Sequence, residues 1–450
     1  MKKLLILLLG ILAVSCSVEN PVIKVSGGKL KGVQLSPDVI VYRGIPYAAA
    51  PVGELRWKAP HPAEPWKGVL TADTFGPIAH QSEQLPDSFY GKEFFFGGYP
   101  AMSEDCLYLN VWAPAKTVGK PEAGLPVAMW IHGGAFTGGY GHEPEMDGEA
   151  WAEHGVILVT VNYRLGVLGF LSHPELSEEQ GGVSGNYGQL DQAYALRWIH
   201  DNISAFGGSP DRITIFGQSA GAMSVKNLMA SPLSRDMIAG AIIQSGGGIS
   251  AAMQTEDHPQ SFYDAQGKAI MDAAGLKDLA AMRAAAPETL IGAPLQYAVS
   301  GGSFVMLGPH VDGHFLTETF AEALLDGSIA DVPVMTGYTG DDLGILAGAP
   351  VDRMCEIRDS LSDKPVFEYE FLRNLPGDDD DPGTDPGAFH SSELWYVFGT
   401  LGKSWRPFTE NDRELSDEML GAWISFVKNG DPGWPAYKKA SPYKKKFDIN

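Results

Sequence analysis

The chain has 450 residues, of which 44% are hydrophobic and 20% are charged, so it can bury a large core and is not a disordered protein. Its formal net charge of −22 repels the phosphates of nucleic acids and the headgroups of anionic lipids. We therefore exclude nucleic acid as a partner and expect contact with a membrane only through an N-terminal anchor.

The stretch MKKLLILLLGILAVSC at the N-terminus has the three-part layout of an export signal. Two lysines precede an apolar run that is too short to span a bilayer, and small residues come directly before Cys16. We predict a signal peptide over residues 1–16, with cleavage before Cys16. Because this end resembles a bacterial lipobox, two alternatives stay open: export with lipid attachment at Cys16 in the cell envelope (outer membrane or periplasm), or simple secretion. Residues 17–30 are predicted to be a linker.

Strand and helix patterns alternate over the rest of the chain, which we predict to be a single domain over residues 31–450. Apolar runs typical of buried parallel strands cover 127–132, 156–162, 213–217, 239–245, 332–338 and 366–371. Helical patterns cover 187–204, 220–229, 260–274, 317–326 and 412–428. The alternation predicts an α/β fold whose twisted, mostly parallel central sheet has an antiparallel N-terminal part and helices on both faces. The acidic stretch 377–387 is predicted to be a solvated loop.

A serine lies between two glycines where a predicted strand passes into a predicted helix. The stretch is ITIFGQSAGAMSV, and it places G-x-S-x-G at Gly217, Ser219 and Gly221. A turn sharp enough to expose the serine leaves no room for side chains two positions away, and glycine meets that demand. The helix that follows directs unpaired N–H groups toward the serine. The pattern predicts Ser219 as a nucleophile; the alternative is an ordinary strand-to-helix loop.

A serine hydroxyl needs a base, and the base needs an acid to orient it. In an open α/β sheet both groups come from loops at the carboxyl ends of strands, in the chain order Ser, acid, His. Only one of the eleven histidines, His390, follows the candidate acids. These are two adjacent aspartates just after the strand at 332–338, of which we choose Asp342 and keep Asp341 as the alternative.

The predicted strand at 127–132 runs into a short series of small residues whose backbone N–H groups can point into a cleft. We predict an oxyanion hole formed by the N–H groups of Gly134, Ala135 and Ala220, with a plain glycine-rich turn as the alternative. Three neighbouring residues are expected to contact the substrate: Gly133, Phe136 and Gln218. The spacing of histidine and cysteine indicates no metal site, and we expect no cofactor.

Taken together, these segments closely resemble the type-B carboxylesterase family, the α/β-hydrolases that include the cholinesterases and para-nitrobenzyl esterase-like enzymes. The resemblance covers most of residues 25–435. Its main motifs are YRGIPYA (42–48), SEDCLYLNVWAP (103–114), HGGAF (132–136), VTVNYRLGVLGFL (159–171), GNYGQLDQAYALRWIHDNISAFGGSPDRITIFGQSAG (185–221) and GAFHSSELWYVFG (387–399).

The resemblance implies roles for several residues. Ser219 would be the nucleophile, His390 the base and Asp342 the acid, where relatives usually carry glutamate. It also implies the three oxyanion donors above and a structural salt bridge between Arg43 and Glu104.

The chain departs from the family pattern at a few places. Gln218 stands where many relatives have glutamate, so a cationic substrate gains less there. Cys106 matches one half of a family disulfide, but Ala79 stands where its partner is expected, so Cys106 is expected to be a buried free thiol. The segments that follow Ser219 and Asp342 look shorter than in the animal enzymes, which implies a more open site.

The stretch at 81–105, which we call the aromatic loop, contains six aromatic residues but no tryptophan. Choline-binding relatives use a tryptophan in this loop. Two interpretations stay open for these aromatic residues: they line the mouth of the site and stack on an aromatic acyl or sugar group, or they serve ordinary packing.

The preferred interpretation is a serine carboxylesterase that hydrolyses carboxylic esters of small molecules through an acyl-enzyme intermediate. Three alternatives remain on the same fold: a transacylase, a lipase, and a non-catalytic cholinesterase-like binding protein. The sequence makes no prediction of the oligomeric state.

Overall fold

The structure is a computed structural model that describes residues 21–249, 258–303, 305, 307–344, 346–377 and 386–449. The predicted signal peptide, Cys16 and most of the acidic stretch at 377–387 lie outside the described residues. Within the described ranges, none of the helices is both long and apolar enough to cross a bilayer.

A ten-stranded mixed sheet forms the centre of the fold, and a three-stranded sheet lies beside its N-terminal part. In chain order the strands are β1 (Val22–Val25), β2 (Gly28–Lys31), β3 (Val33–Ser36), β4 (Val39–Pro46), β5 (Val69–Thr71), β6 (Tyr108–Pro114), β7 (Leu125–Ile131), β8 (Ile157–Val161), β9 (Gly208–Gln218), β10 (Gly240–Gln244), β11 (Val334–Thr339), β12 (Val366–Phe371) and β13 (Lys445–Phe447). The spatial order of the large sheet is β13-β12-β11-β10-β9-β7-β8-β6-β4-β3.

The pairing directions follow the sequence prediction. From β8 to β13 the neighbouring strands are parallel, whereas β3–β4, β4–β6 and β6–β8 are antiparallel. All the residues of β8, β10 and β11 are buried, because helices cover both faces of the parallel part. The predicted α/β-hydrolase fold class is therefore confirmed.

Thirteen α-helices in the described ranges surround the sheet. In chain order they are α1 (Phe89–Glu93), α2 (Glu149–Glu153), α3 (Gly166–Phe170), α4 (Pro174–Glu179), α5 (Tyr187–Asn202), α6 (Ala220–Ala230), α7 (Gln260–Ala273), α8 (Leu279–Ala284), α9 (Pro287–Val299), α10 (Phe320–Asp326), α11 (Ala349–Leu361), α12 (Leu394–Val397) and α13 (Glu410–Asn429). Five of them match predicted helices to within three residues at either end.

Two helix starts differ from the prediction because of their capping residues. Thr319 caps α10 and exchanges hydrogen bonds with Glu322, so the helix begins three residues later than predicted. Thr409 forms the same reciprocal arrangement with Asp412, so α13 begins two residues earlier than predicted. In both cases a side chain satisfies N–H groups that the hydrophobic pattern does not reveal.

The predicted linker over residues 17–30 is wrong from Val22 onward. Strands β1 and β2 pair as an antiparallel ribbon, and β2 pairs with β5. The side chains of Ile23, Val25 and Leu30 are buried in the main core. An apolar residue at every second position is the signal of a half-buried strand, but the stretch is too short for that alternation to stand out.

The salt bridge implied between Arg43 and Glu104 is also wrong. Glu104 pairs instead with Arg56, whose Nε lies 2.7 Å from Oε1 of the carboxylate. Nη1 of Arg56 also donates to the carbonyl oxygens of Met282, Arg283 and Ala285, which ties the N-terminal part of the chain to the end of α8. The guanidinium of Arg43 lies over the ring of Phe75, 5.2 Å from its centroid.

The two described cysteines are free and buried. Cys106 and Cys355 form no disulfide, and burial raises the pKa of both thiols. Cys106 and Ala79 line the same small cavity, together with Arg56 and Glu104. The unpaired state of Cys106 agrees with the expectation from the sequence.

Lys226, on α6, is buried without a carboxylate partner among the described residues. Its Nζ donates to the Gly248 carbonyl at 2.9 Å and lies 5.6 Å from the centroid of the Phe320 ring. Burial lowers the pKa of Lys226 to about 7. In the unfolded chain a lysine has a pKa near 10.4, so between about pH 7 and pH 10 the unfolded state binds more protons, and stability rises with pH over this window.

We therefore expect Lys226→Met to raise the free energy of unfolding at pH 7 by about 2 kcal/mol. This value is the gain from removing the buried charge, less the cost of leaving the Gly248 carbonyl without its donor. The gain should shrink as the pH rises toward 10, because the wild-type lysine is then neutral in the folded state. Urea unfolding of both proteins at pH 7 and pH 9.5 measures this difference. A gain that does not change with pH would contradict the prediction.

Candidate active site

Ser219 lies on a sharp turn between β9 and α6. Its φ of 57° and ψ of −123° are unusual for a residue with a side chain, and its position is half-buried. A Cβ on Gly217 would lie 2.6 Å from the carbonyl carbon of Gly221, and a Cβ on Gly221 would lie 2.8 Å from the His132 carbonyl oxygen. The two glycines are therefore required by the close approach of three backbone segments.

The structure brings Asp342 and His390 together beside the sheet. Asp342 follows β11, and His390 follows β12 in the chain. Nδ1 of His390 lies 2.6 Å from Oδ1 of Asp342. The carboxylate is fully enclosed, and the His390 side chain is 11% exposed. A neutral imidazole in this arrangement carries its proton on Nδ1 and has a lone pair on Nε2.

Asp341, the alternative acid, has a different contact. Its Oδ2 accepts the backbone N–H of Ala388 at 2.9 Å, and its own N–H donates to the Ala388 carbonyl at 3.0 Å. Asp341 and Phe389 form an isolated parallel bridge. Both aspartates thus contact the segment that contains His390. Asp341 contacts the backbone of this segment, and Asp342 contacts the imidazole.

Further donors surround the Asp342 carboxylate. Ser245, at the end of β10, donates from Oγ to Oδ2 at 2.6 Å, and the N–H of Thr339 approaches the same oxygen at 3.3 Å. Burial by itself raises the pKa of Asp342, but the hydrogen bond and charge of His390, with these donors, hold it below its ordinary value. The carboxylate is therefore ionised at neutral pH. Ser245 is not among the residues predicted for the site, although it is a polar residue at the carboxyl end of a predicted strand.

Ser219 and His390 form no hydrogen bond with each other in the described part of the chain. The amide nitrogen of Gln218 lies near the imidazole instead, 3.2 Å from Nε2 and 3.4 Å from Nδ1. Gln218, which we predict to contact substrate, is buried and lies beside the histidine, and its contact with substrate stays a prediction. Catalytic hydrogen bonds are often long in free enzymes and tighten when substrate binds.

The three predicted oxyanion donors lie in two segments around Ser219. Gly134 and Ala135 follow β7 and are exposed, while Ala220 is the first residue of α6 and is buried. Among the described residues, no protein acceptor receives the N–H groups of these three residues. Ala135 adopts a positive φ of 54°, which is uncommon for alanine.

The two other residues expected to contact substrate lie in the same segment. A Cβ on Gly133 would lie 3.2 Å from the Cβ of Ser219, so this glycine leaves room for the side chain of Ser219. The ring of Phe136 is buried and packs against Phe170 with 5.1 Å between centroids. Phe136 therefore packs into the core beneath the segment that follows β7.

Glu393, which the sequence analysis did not consider, is a second acid near the histidine. It is fully buried, and its Oε1 accepts a hydrogen bond from the Gln244 side chain at 3.2 Å. Burial, with the charge of Asp342 as a smaller contribution, raises its pKa to about 7. No sequence pattern identifies this residue, because its neighbours come from distant strands.

Nothing among the described residues suggests a metal centre. No group of three or more His, Cys, Asp or Glu side chains is close enough to hold an ion there. The exposed backbone of Gly134 and Ala135 also means that, in the described part, the site is open to solvent beside Ser219.

Comparison with known proteins gives consistent matches along the whole described chain. The model of the Carboxylesterase family matches residues 19–362 and 345–448. A para-nitrobenzyl esterase from Bacillus subtilis (strain 168) is 34% identical, with 93% of each chain covered. A fumonisin B1 esterase from Sphingopyxis macrogoltabida is 33% identical, with 92% of this chain and 84% of the relative covered.

Solved structures give the same result. A PNB esterase structure superposes with a TM-score of 0.83 at 31% identity and 96% coverage of both chains. A Geobacillus stearothermophilus carboxylesterase structure at pH 6.8 superposes with a TM-score of 0.79 at 32% identity, with 95% of this chain and 96% of that chain covered.

Proposed function

Because the chain belongs to the carboxylesterase family and is a carboxylic ester hydrolase, we propose that Ser219, His390 and Asp342 perform the hydrolysis. The observation that carries this proposal is the 2.6 Å contact between His390 and Asp342 beside the turn that carries Ser219. Asp342 holds the imidazole with its proton on Nδ1, so that Nε2 is the basic atom.

The proposed reaction has two steps. His390 removes the proton of Ser219 as Oγ attacks the ester carbonyl, and the N–H groups of Gly134, Ala135 and Ala220 stabilise the resulting oxyanion. The alcohol leaves with the proton from His390, which gives an acyl-enzyme. Water then attacks the acyl carbonyl while His390 takes its proton, the bond to Oγ of Ser219 breaks, and His390 returns the proton to Oγ as the carboxylic acid leaves. The amide of Gln218 must yield its place near Nε2 when Ser219 and substrate approach.

The test is turnover of p-nitrophenyl acetate, butyrate and octanoate, combined with labelling by diethyl p-nitrophenyl phosphate. We expect hydrolysis of the short esters and one phosphoryl group per chain, found by peptide mass spectrometry on Ser219. Labelling of another residue, or hydrolysis that survives full labelling of Ser219, would contradict the proposed nucleophile.

For the substrate, we propose a neutral ester of a small molecule. A supporting observation is that the position before the nucleophile is an uncharged glutamine, so a cationic choline ester finds no carboxylate there. Two relatives are named for the esters of small molecules, fumonisin B1 and para-nitrobenzyl esters. We expect kcat/KM to be higher for a neutral butyrate ester than for a cationic butyrate ester. The reverse order would contradict this proposal.

We also propose that the protein is exported and carries a lipid on Cys16 in the envelope of a bacterial cell. The N-terminal sequence supports this. We expect the wild-type chain to take up radiolabelled palmitate and to sediment with membranes, and Cys16→Ser to do neither. A mature wild-type chain that stays unlabelled in the soluble fraction would favour simple secretion.

A further inference from the structure

We propose that Tyr90 is a positioning residue for His390, and that α1 of the aromatic loop acts as its support. We call residues 386–393 the histidine loop. Asp341 contacts the backbone of this loop before the histidine, and Asp342 contacts the imidazole. Tyr90 contacts the loop at the histidine itself. The inference rests on the proposed role of His390 as the base.

The histidine loop has little regular structure of its own. It is joined to the end of β11 by the isolated bridge at Phe389, and Ser391 adopts a positive φ of 80°. The orientation of the imidazole therefore depends on how firmly the backbone at His390 is held. Because a misplacement of about 1 Å costs up to about a hundredfold in rate, such support matters for catalysis.

Tyr90 supplies a hydrogen bond at this point. Its hydroxyl donates to the backbone carbonyl of His390 at 3.1 Å, and no other donor to this oxygen occurs among the described residues. Burial and, to a smaller extent, the charge of Asp342 together raise the pKa of Tyr90 to about 12, so the hydroxyl remains a donor over the whole working range of pH. The neighbouring ring of Phe89 meets Phe389 edge-on, with 4.8 Å between centroids.

Helix α1 is itself fixed to the chain that follows the histidine loop. Glu93 accepts the indole N–H of Trp395 at 2.8 Å and the Nε–H of Arg406 at 2.8 Å. Glu93 and Arg406 are both buried, and Phe94 stacks on Trp395 with 5.8 Å between centroids. At the other end of α1, Ser88 caps the helix by accepting the N–H of Gly91. The helix therefore holds the Tyr90 hydroxyl at a defined place.

The sequence leaves two interpretations of the aromatic loop open: stacking on substrate and ordinary packing. Different residues of the loop fit each of them. Phe94 is buried, and Tyr90 is half-buried and committed to His390. Phe89 and Phe96 remain 39% and 49% exposed, so part of each ring is accessible for stacking on a substrate. The loop thus supports the base through Tyr90 and also presents apolar surface, with Phe89 contributing to both because its ring packs on Phe389 and stays partly exposed.

The test compares Tyr90→Phe with Tyr99→Phe. Both changes remove one hydroxyl from the same loop, but the Tyr99 hydroxyl accepts the N–H of Gln84 and has no contact with His390. For p-nitrophenyl butyrate we expect Tyr90→Phe to lower kcat about tenfold with KM changed less than about twofold. We also expect the acid side of the pH profile of kcat/KM to move, because the imidazole is less well held against Asp342. Tyr99→Phe should match the wild type in kcat, in KM and in the pH profile of kcat/KM.

Labelling with diethyl p-nitrophenyl phosphate counts the active sites, so kcat is expressed per competent site even if a variant folds less well. A Tyr90→Phe variant with wild-type kcat per site and an unchanged pH profile would overturn the positioning role. So would equal losses in Tyr90→Phe and Tyr99→Phe. If the wild type is inactive, or if labelling misses Ser219, the proposed function fails instead.

Discussion

We expect the replacement of Ser219 with alanine to lower kcat for p-nitrophenyl butyrate by about 10⁶-fold, with little change in KM. In the proposed mechanism the nucleophile acts as one unit with its base, so its loss should remove the whole covalent route at once. The remaining rate comes from binding and from the oxyanion donors. Steady-state kinetics with enzyme at high concentration measures it, and circular dichroism confirms that the variant is folded.

Ser245→Ala is the matched control for this change. It also removes one serine hydroxyl at the end of a strand, but it removes only a donor to Asp342. We expect a loss of about tenfold in kcat. If kcat fell equally in the two alanine variants, a general disturbance of the site would explain both losses. The assignment of Ser219 as nucleophile would then lose its support.

The second large effect distinguishes the two aspartates. Asp342→Asn should lower kcat about 10⁴-fold, because the amide no longer favours the imidazole with its proton on Nδ1. Asp341→Asn keeps an oxygen that can accept the N–H of Ala388, so we expect a loss of less than about tenfold. The measurement is kcat for both variants and the wild type on the same ester.

The reverse order of the two losses would make Asp341 the acid and would contradict the geometry around His390. Equal and large losses of kcat would indicate that both aspartates are needed to hold the histidine loop in place. In that case the thermal unfolding temperature of each variant tells whether the backbone contact of Asp341 has been lost.

Much of the site could be predicted from chain order alone. In a parallel sheet the ends of neighbouring strands meet, so a serine after β9, an acid after β11 and a histidine after β12 are brought to one edge. The glycines around Ser219 were equally predictable, because a sharp turn with close backbone contacts admits no other residue there.

Other features depend on distant side chains and could not be predicted in this way. The contact of Gln218 with His390 and the burial of Glu393 against Gln244 join residues that have no fixed spacing in the chain. The family resemblance implies Arg43 as the partner of Glu104. In the structure Arg56, which follows the 3-10 turn at Gly53–Leu55, forms this pair instead. Such pairings are decided by tertiary packing.

The unpaired Cys106 has a consequence for the conditions under which the protein can fold. Ala79 faces the same cavity and offers no sulfur, and Cys355 is buried elsewhere, so the described part of the chain contains no covalent cross-link. Its fold rests on burial and on pairs such as that of Arg56 with Glu104. The described part of the chain thus offers a thiol reductant no disulfide to break, and we expect the same thermal unfolding temperature with and without dithiothreitol.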